Sequence, residues 1–399
     1  MTTRSTNRKL KLAEAPRRIP FCVPWTDQRE IDEVTEAIRS GWLTTGPKVA
    51  LFEQKIARFV GAKHGVALNS CTAALHLALA AAGVRQGDEV VTSPYTFAAT
   101  GETILYLGAR PVFADIDPVT LNLSPQATAR AVTRRTRAIV PVHMAGLACD
   151  MRPILDLARR RGIMVVDDAA HAIGTTLGGR PIGSISDMTC FSFYATKNLT
   201  TGEGGMVTTD DADLAARVRR LSLHGLSRDA WKRYTASGTW RYDIVELGYK
   251  YNMTDVAAGI GLAQLAKFRS MQARRRMLAR RYSRLLAGSD AFQLPVEQRG
   301  SVHAWHLYIL RLNPGVLAVG RDAVIEELRD RGIGTSVHFI PLHTHSLYRK
   351  TLGYRQGTLP HAEREWARAI SLPLFPGLTL EDQDRVVEAL LDVAARHRR

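Results

Sequence analysis

Three stretches of the chain carry side chains whose types and spacing suit catalysis. The first is Val165-Val166-Asp167-Asp168-Ala169-Ala170-His171, where two carboxylates close an apolar run. Carboxylates taken out of water are costly unless a cation or hydrogen bonds meet them. A helix cap with a salt bridge meets that need, and so does a site that requires a fixed negative charge. The second is Cys190-Phe191-Ser192-Phe193-Tyr194-Ala195-Thr196-Lys197-Asn198, followed by Thr200-Thr201-Gly202-Glu203-Gly204-Gly205. It places one lysine in a turn of small and polar residues. Only ten of the 54 basic residues are lysine, so the choice at position 197 is informative. Arginine cannot form a Schiff base, whereas lysine can once its surroundings remove its proton. A solvated surface lysine is the plain alternative. The third is Leu68-Asn69-Ser70-Cys71-Thr72-Ala73-Ala74-Leu75-His76, in which hydroxyl residues open a helix. The free N–H groups and dipole of a helix start attract an anion, although an ordinary N-cap has the same appearance.

Taken jointly, these parts suit pyridoxal phosphate. That cofactor needs a lysine to bond to, an anion site for its phosphate and a carboxylate facing its pyridine nitrogen, because the protonated ring is the electron sink. It also needs a flat apolar neighbour, which Ser93-Pro94-Tyr95-Thr96-Phe97-Ala98-Ala99-Thr100 offers.

The elements that must position these residues can be read from periodicity. Strands are expected at 65–68, 89–92, 111–114, 138–142 and 163–167, with helices between them at 72–82, 97–107, 124–133 and 151–161. Such alternation indicates an α/β domain with a mostly parallel sheet, whose ligands bind beyond the carboxyl ends of the strands. Two more strands, 188–193 and 205–209, and a helix at 211–223 follow. Residues 225–252 read as a long Gly/Tyr/Trp-rich loop. A long helix begins near Thr254, and the domain boundary is expected within it, near residue 265. A smaller α+β segment follows, with strands 305–312 and 335–338, a helix at 321–331 and a last helix from Leu380. Before all this, residues 1–20 read as a flexible basic tail, and 21–265 and 266–399 as the two domains. A capping box around Thr26–Glu30 starts a first helix with Ile31, Val34 and Ile38 on one face.

Several classes are disfavoured. The net charge of +16 suggests nucleic acid, but the arginines are scattered through predicted helices and no basic recognition helix stands out. There is no GxGxxG after the first strand and no GxxxxGK[ST]. The four cysteines are dispersed, which suits a reducing cytoplasm. No apolar run is long enough for a membrane span. The spacing of His338, His343 and His345 lacks cysteine partners, and no metal is expected.

From about Pro24 to the last helix, the wording resembles the DegT-type sugar aminotransferases, which have the aspartate-aminotransferase fold (PLP fold type I). SGWLTTGPK, SCTAAL, PYTFAAT, DDAAHAIG, FSFYATKN, GEGG, GYKYNMTD, HAWHLYIL and SLPLFP occur in the family's order. The resemblance implies that Lys197 anchors the cofactor and shuttles the proton, that Asp168 pairs with the pyridine nitrogen, and that His171 lies near the ring hydroxyl. Strand alternation places Asp167 and Asp168 on opposite sides, so only one of them can face the ring. Cys71, through its backbone N–H, Thr72 and Ser192 would hold the phosphate, and Phe97 would stack on the ring. Asn252 would reach the phosphate of a neighbouring subunit, making a homodimer with shared sites. Thr45, His338 and His343 would touch substrate. The implied reaction moves an amino group from glutamate to a keto group, at C4, of a nucleotide-linked sugar; GYKYN, HAWH and LHGL (223–226) are most similar to the branch acting on a UDP-linked 4-keto-pentose. Amination of a free keto-cyclitol and a non-catalytic PLP-binding regulator are the alternatives.

Overall fold

The computed structural model describes residues 17–227 and 242–399. The apolar runs form β1 (His64–Leu68), β2 (Glu89–Thr92), β3 (Arg110–Phe113), β4 (Thr136–Val140) and β5 (Met164–Asp168), then a short hairpin β6 (Thr176–Leu177) and β7 (Arg180–Pro181), then β8 (Met188–Ser192) and β9 (Gly205–Thr209). Seven of them make one sheet in the order β1-β9-β8-β5-β4-β2-β3. Strand β9 runs antiparallel to both neighbours, and the other six share one direction. The carboxyl ends of β1, β2, β5 and β8 therefore lie at one end of the sheet; the three chemically promising stretches are at the ends of β1, β5 and β8, and Ser93–Thr100 follows β2. The strands are covered on both faces, so they read as continuous apolar runs rather than alternating ones.

Helices α1 (Gln28–Arg39), α2 (Pro47–Val60), α3 (Cys71–Ala81), α4 (Ala98–Tyr106), α5 (Pro125–Ala131), α6 (Met151–Arg161) and α7 (Ala212–Leu221) belong to this layer. Helix α3 is apolar nearly all round, from Ala73 to Leu79, because it is enclosed by β8 and β9 on one side and α4 and α7 on the other. Helix α8 (Asp255–Leu286) leads into a second unit with β10 (Phe292–Gln293), β11 (Ser301–Val302, paired with β6), β12 (Tyr308–Leu312), α9 (Arg321–Asp330), α10 (Ser346–Leu352), α11 (Pro360–Arg368), β13 (Ala369–Leu372) and α12 (Leu380–Arg396). Strands β10, β12 and β13 form an antiparallel sheet covered by α8, α9 and α12. The architecture is α/β with a smaller α+β unit. Among the described residues no helix is long and apolar enough to cross a membrane.

The structure departs from the sequence reading in several places. The boundary expected near residue 265 falls inside α8, in which Ala258, Leu262, Phe268 and Met271 belong to the large unit's core, whereas Leu278, Ala279, Tyr282 and Leu286 belong to the small unit's. The change of partner therefore comes between 271 and 278. Of the segment read as a tail, residues 1–16 lie outside the described residues, but Ile19 is buried in the small unit's core, with its backbone bonded to Gly332 and Gly334. One buried isoleucine with paired backbone groups suffices to hold Arg17–Pro20 in place. No strand forms at 335–338; Ser336 makes a single bridge to Ser371 before the chain turns across the end of the large sheet. Strand β13 was not anticipated.

Helix α1 begins with the capping box, Asp27 being the cap residue. The face it buries carries Glu30 and Ala37 rather than the isoleucines. Lys267 of α8 meets both Asp27 (2.9 Å) and Glu30 (2.7 Å), and Gln264 also donates to Glu30, so a polar network replaces an apolar seam. Ile31 and Ile38 are left 59% and 58% exposed. Of the long loop read over 225–252, residues 228–241 lie outside the described residues; its end bridges β1 through Leu68 and Asn252.

Candidate active site

A cavity of about 530 Å³ opens at the carboxyl end of the large sheet, closed from the other side by His306, His338 and Phe339 of the small unit. Cys71, Thr72, Phe97, Asp168, His171, Ser192 and Lys197 all line it.

Lys197 sits in the turn after β8, its backbone N–H bonded to the Tyr194 carbonyl at 2.9 Å. No carboxylate forms an ion pair with its ammonium among the described residues, and desolvation lowers it from 10.5 to about 8. A lysine held near neutrality at the end of a strand is suited to act as a nucleophile.

The two adjacent acids have different partners. Asp167 points away from the cavity, accepting from Ser186 Oγ (2.8 Å) and lying 3.3 Å from His143 Nε2. His143 Nδ1 accepts from the Cys149 N–H at 3.1 Å, so its ring hydrogen is on Nε2, the side that faces Asp167. Asp168 faces the cavity. It accepts from the Thr100 hydroxyl (2.7 Å) and the Ala170 N–H (3.1 Å), and burial raises its carboxyl above the ordinary value. One acid is committed to partners behind the strand, and the other is the buried acid at the cavity. A protonated ring nitrogen would supply the missing partner.

At the start of α3, Ser70 Oγ accepts from the Ala73 N–H at 3.0 Å. The N–H groups of Cys71 and Thr72, in the first turn, have no intrahelical acceptor. Ser192 Oγ lies across from them on β8 and accepts from the Tyr194 N–H (3.3 Å). The Cys71 thiol points toward the Cys190 carbonyl (3.9 Å), and burial raises it well above its ordinary range, so this residue offers the cavity its backbone. Phe97 presents its ring at the cavity while 62% exposed, so it has an uncovered aromatic face. His171 Nδ1 accepts from the Ala145 N–H (3.2 Å), and burial holds the ring neutral. An open helix start, a buried acid with no cation against it, an exposed ring and a lysine with no carboxylate against it, among the described residues, come together here.

The remaining residues lie elsewhere. His338 lines the cavity, with Nδ1 2.8 Å from Ser371 Oγ, and burial lowers it to about 4. His343 does not reach the cavity: the turn Leu342–Thr344 takes it into the interior, where Nε2 meets Glu363 at 2.8 Å. The expectation that it touches substrate is corrected accordingly. Thr45 and Asn252 pair with each other (Asn252 Nδ2 to Thr45 Oγ1, 2.7 Å) outside this chain's own cavity. His306, Thr100 and Asn198 were not singled out from the sequence. Thr100 ends the PYTFAAT stretch four residues after Thr96, and the two hydroxyls bond at 2.7 Å; that spacing was the available signal.

Comparison with known proteins agrees with this geometry. Residues 24–391 match the model of the DegT/DnrJ/EryC1/StrS aminotransferase family. This chain belongs to that family. It is a pyridoxal-phosphate-dependent aminotransferase of fold type I. It is 51% identical over 376 residues, 94% of this chain and 97% of the relative, to the spore coat polysaccharide biosynthesis protein SpsC of Bacillus subtilis (strain 168). Among solved structures, the putative sugar aminotransferase Spr1654 from Streptococcus pneumoniae in its PMP form is similar at TM-score 0.89 and 36% identity, covering 95% of this chain and 99% of that one. DesI, determined in the presence of its TDP-sugar product, is similar at TM-score 0.86 and 35% identity, covering 96% and 94%.

Proposed function

We propose that this aminotransferase takes the amino group of glutamate and gives it to a keto group, at C4, of a nucleotide-linked sugar. The observation that carries the reading is the cavity that Lys197 and Asp168 both line, the lysine having no carboxylate ion-paired to it among the described residues; the likeness to a polysaccharide biosynthesis protein, to Spr1654 and to DesI with its TDP-sugar product supports a sugar as acceptor.

Bound pyridoxal phosphate supplies the electron sink and carries the amino group between the two half-reactions. The chain's own residues do the rest. Lys197 anchors the cofactor and, as a free amine, moves the proton. Asp168 holds the ring nitrogen protonated, for which a buried, otherwise unpaired acid is suited. The Cys71 and Thr72 N–H groups, with Ser192, would hold the phosphate, His171 would serve the ring hydroxyl and Phe97 would pack on the ring. His338 and Thr45 are the candidates for contact with substrate. We further propose a homodimer in which Asn252 reaches the partner's phosphate, since in its own chain it stands outside the cavity. Donor and acceptor use one cavity in turn, so the kinetics are ping-pong.

The test is incubation with glutamate and UDP- or TDP-linked 4-keto sugars, with the corresponding free sugars and a keto-cyclitol in parallel, read by mass spectrometry. A nucleotide supplies remote binding energy that a free sugar lacks. The nucleotide-linked substrate should lead in kcat/KM by several orders of magnitude. Equal turnover of a free keto-cyclitol would overturn the choice of acceptor.

A further inference from the structure

The tautomer of His306 can be read from the bonds around it. The backbone carbonyl of Ala304 receives Asn198 Nδ2 at 2.7 Å and Gln272 Nε2 at 2.5 Å. A carbonyl oxygen can only accept, so both side-chain amides must turn their NH2 groups toward it. Gln272 Oε1 then accepts from Asn198 Nδ2 at 3.1 Å. Asn198 Oδ1 is left facing His306 Nδ1 at 3.1 Å. Two acceptors cannot share a hydrogen bond, so Nδ1 carries the hydrogen. In the neutral ring the lone pair is then on Nε2, and Nε2 lies 3.5 Å from Lys197 Nζ.

The groups around this ring keep it neutral. His171 lies against it with ring centroids 4.4 Å apart, and Arg275 reaches its backbone carbonyl. Burial first, then Lys197, His171, Arg275 and His338, all disfavour a proton on His306. The acidic groups nearby, Asp168, Cys22 and Cys71, act on the charge of Lys197, while the two thiols themselves point to the Thr196 and Cys190 carbonyls.

We propose that His306 is a positioning residue for Lys197, its Nε2 accepting one N–H of the lysine and so fixing where the amine's other hydrogens and lone pair point, with Asn198 and Gln272 locking the tautomer that makes this possible. A primary amine on a four-carbon stem rotates freely; a single fixed acceptor removes that freedom and directs the amine into the cavity. An ammonium donates more strongly than an amine, so the same contact also favours the protonated lysine. The inference rests on reading Lys197 as the anchoring residue, and two separate measurements keep them apart. Borohydride reduction with peptide mapping tests the anchor alone.

The test of His306 uses cofactor-free protein. The pH dependence of Lys197 acetylation by acetic anhydride, read by peptide mass spectrometry, gives the lysine's proton affinity. His306→Phe should lower that affinity about tenfold, and His306→Gln, whose terminal oxygen can stand in for Nε2, should restore most of it. In the holoenzyme His306→Phe should lower kcat about 10–100-fold with little change in KM for glutamate. Because His306→Phe could disturb folding, the wild-type protein supplies its own check. Nitrogen-15 shifts should show a pyrrole-type Nδ1 and a pyridine-type Nε2 for His306. A protonated Nε2, or a Lys197 affinity unchanged in a folded His306→Phe protein, would overturn the proposal.

Discussion

At the scale of the residue, adjacent acids with different partners should fail differently. Asp168→Asn keeps the shape but cannot hold a ring nitrogen protonated, so the half-reaction with the amino donor, proposed to be glutamate, should slow by ~10²-fold or more while the protein stays folded. Asp167→Asn instead puts an amide where a carboxylate took both the Ser186 hydroxyl and the His143 Nε2 side, so one of these buried groups faces an NH2, at a cost of about 1–3 kcal/mol. Stopped-flow absorbance and a urea midpoint on both variants distinguish the two effects; the reverse pattern would exchange the acids. Lys197 makes a prediction of a different sign. Its pKa is depressed to about 8 in the folded protein against 10.5 for the free side chain. Between those values the unfolded chain holds a proton that the folded chain has released, so stability rises with pH there. Cofactor-free Lys197→Met should therefore be more stable than wild type at pH 7, and its advantage should shrink as pH rises through 8 toward 10.5. An advantage that does not change with pH would mean the lysine is not desolvated. Lys197 and Asp168 could be named from the sequence because their chemistry restricts residue type. His306, Asn198 and Gln272 could not, because their meaning depends on a carbonyl at residue 304 that only the folded chain brings to them.

At the scale of the element, the phosphate cradle depends on how closely β9 approaches the start of α3. A Cβ on Gly205 would stand 2.3 Å from the Ser70 carbonyl oxygen and 2.6 Å from the Cys71 nitrogen. The glycine is needed for close approach of two backbones, which neither side can yield without moving the helix start. Gly205→Ala should therefore displace the Cys71 and Thr72 N–H groups, weakening pyridoxal phosphate binding at least tenfold and costing about 1–3 kcal/mol of stability. Absorbance titration and thermal melts check this, and wild-type cofactor affinity in the variant would separate the cradle from β9. The Gly-rich stretch 202–205 was visible in the sequence, but the reason for it was not, because the contact joins residues more than a hundred positions apart. The same limit explains 335–338: a four-residue stretch such as Thr335–His338 cannot say whether it will join a sheet or cross the end of one. The seven strands of the large sheet were legible because burial on both faces leaves a long apolar signal.

At the scale of the molecule, the exposed side of α1 and the loop after it present an apolar surface that a lone chain gains nothing by showing to water. Ile31, Ile38 and Leu43 are each more than half exposed, with Trp42 beside them. Sequence periodicity marked this face as one to bury, and within the chain it is the neighbouring face, with Glu30 and the polar network through Lys267, that is buried instead. The Thr45–Asn252 pair belongs to the same loop region and stands outside its own cavity. In the proposed homodimer these facts have one cause: the apolar face meets a second copy, and Asn252 completes the second copy's site. Ile31→Asp combined with Ile38→Asp should then give monomers by sedimentation and remove activity, although both residues are remote from Lys197. Mixing is the sharper experiment. Chains carrying Lys197→Ala and chains carrying Asn252→Ala are each impaired, but a hybrid dimer holds one site with both residues intact. Random re-assortment makes half of the dimers hybrid, with one good site of two in each, so activity should recover to roughly a quarter of wild type. No recovery from mixtures shown by mass spectrometry to contain hybrids, or full activity in the double-aspartate monomer, would mean that each chain works alone.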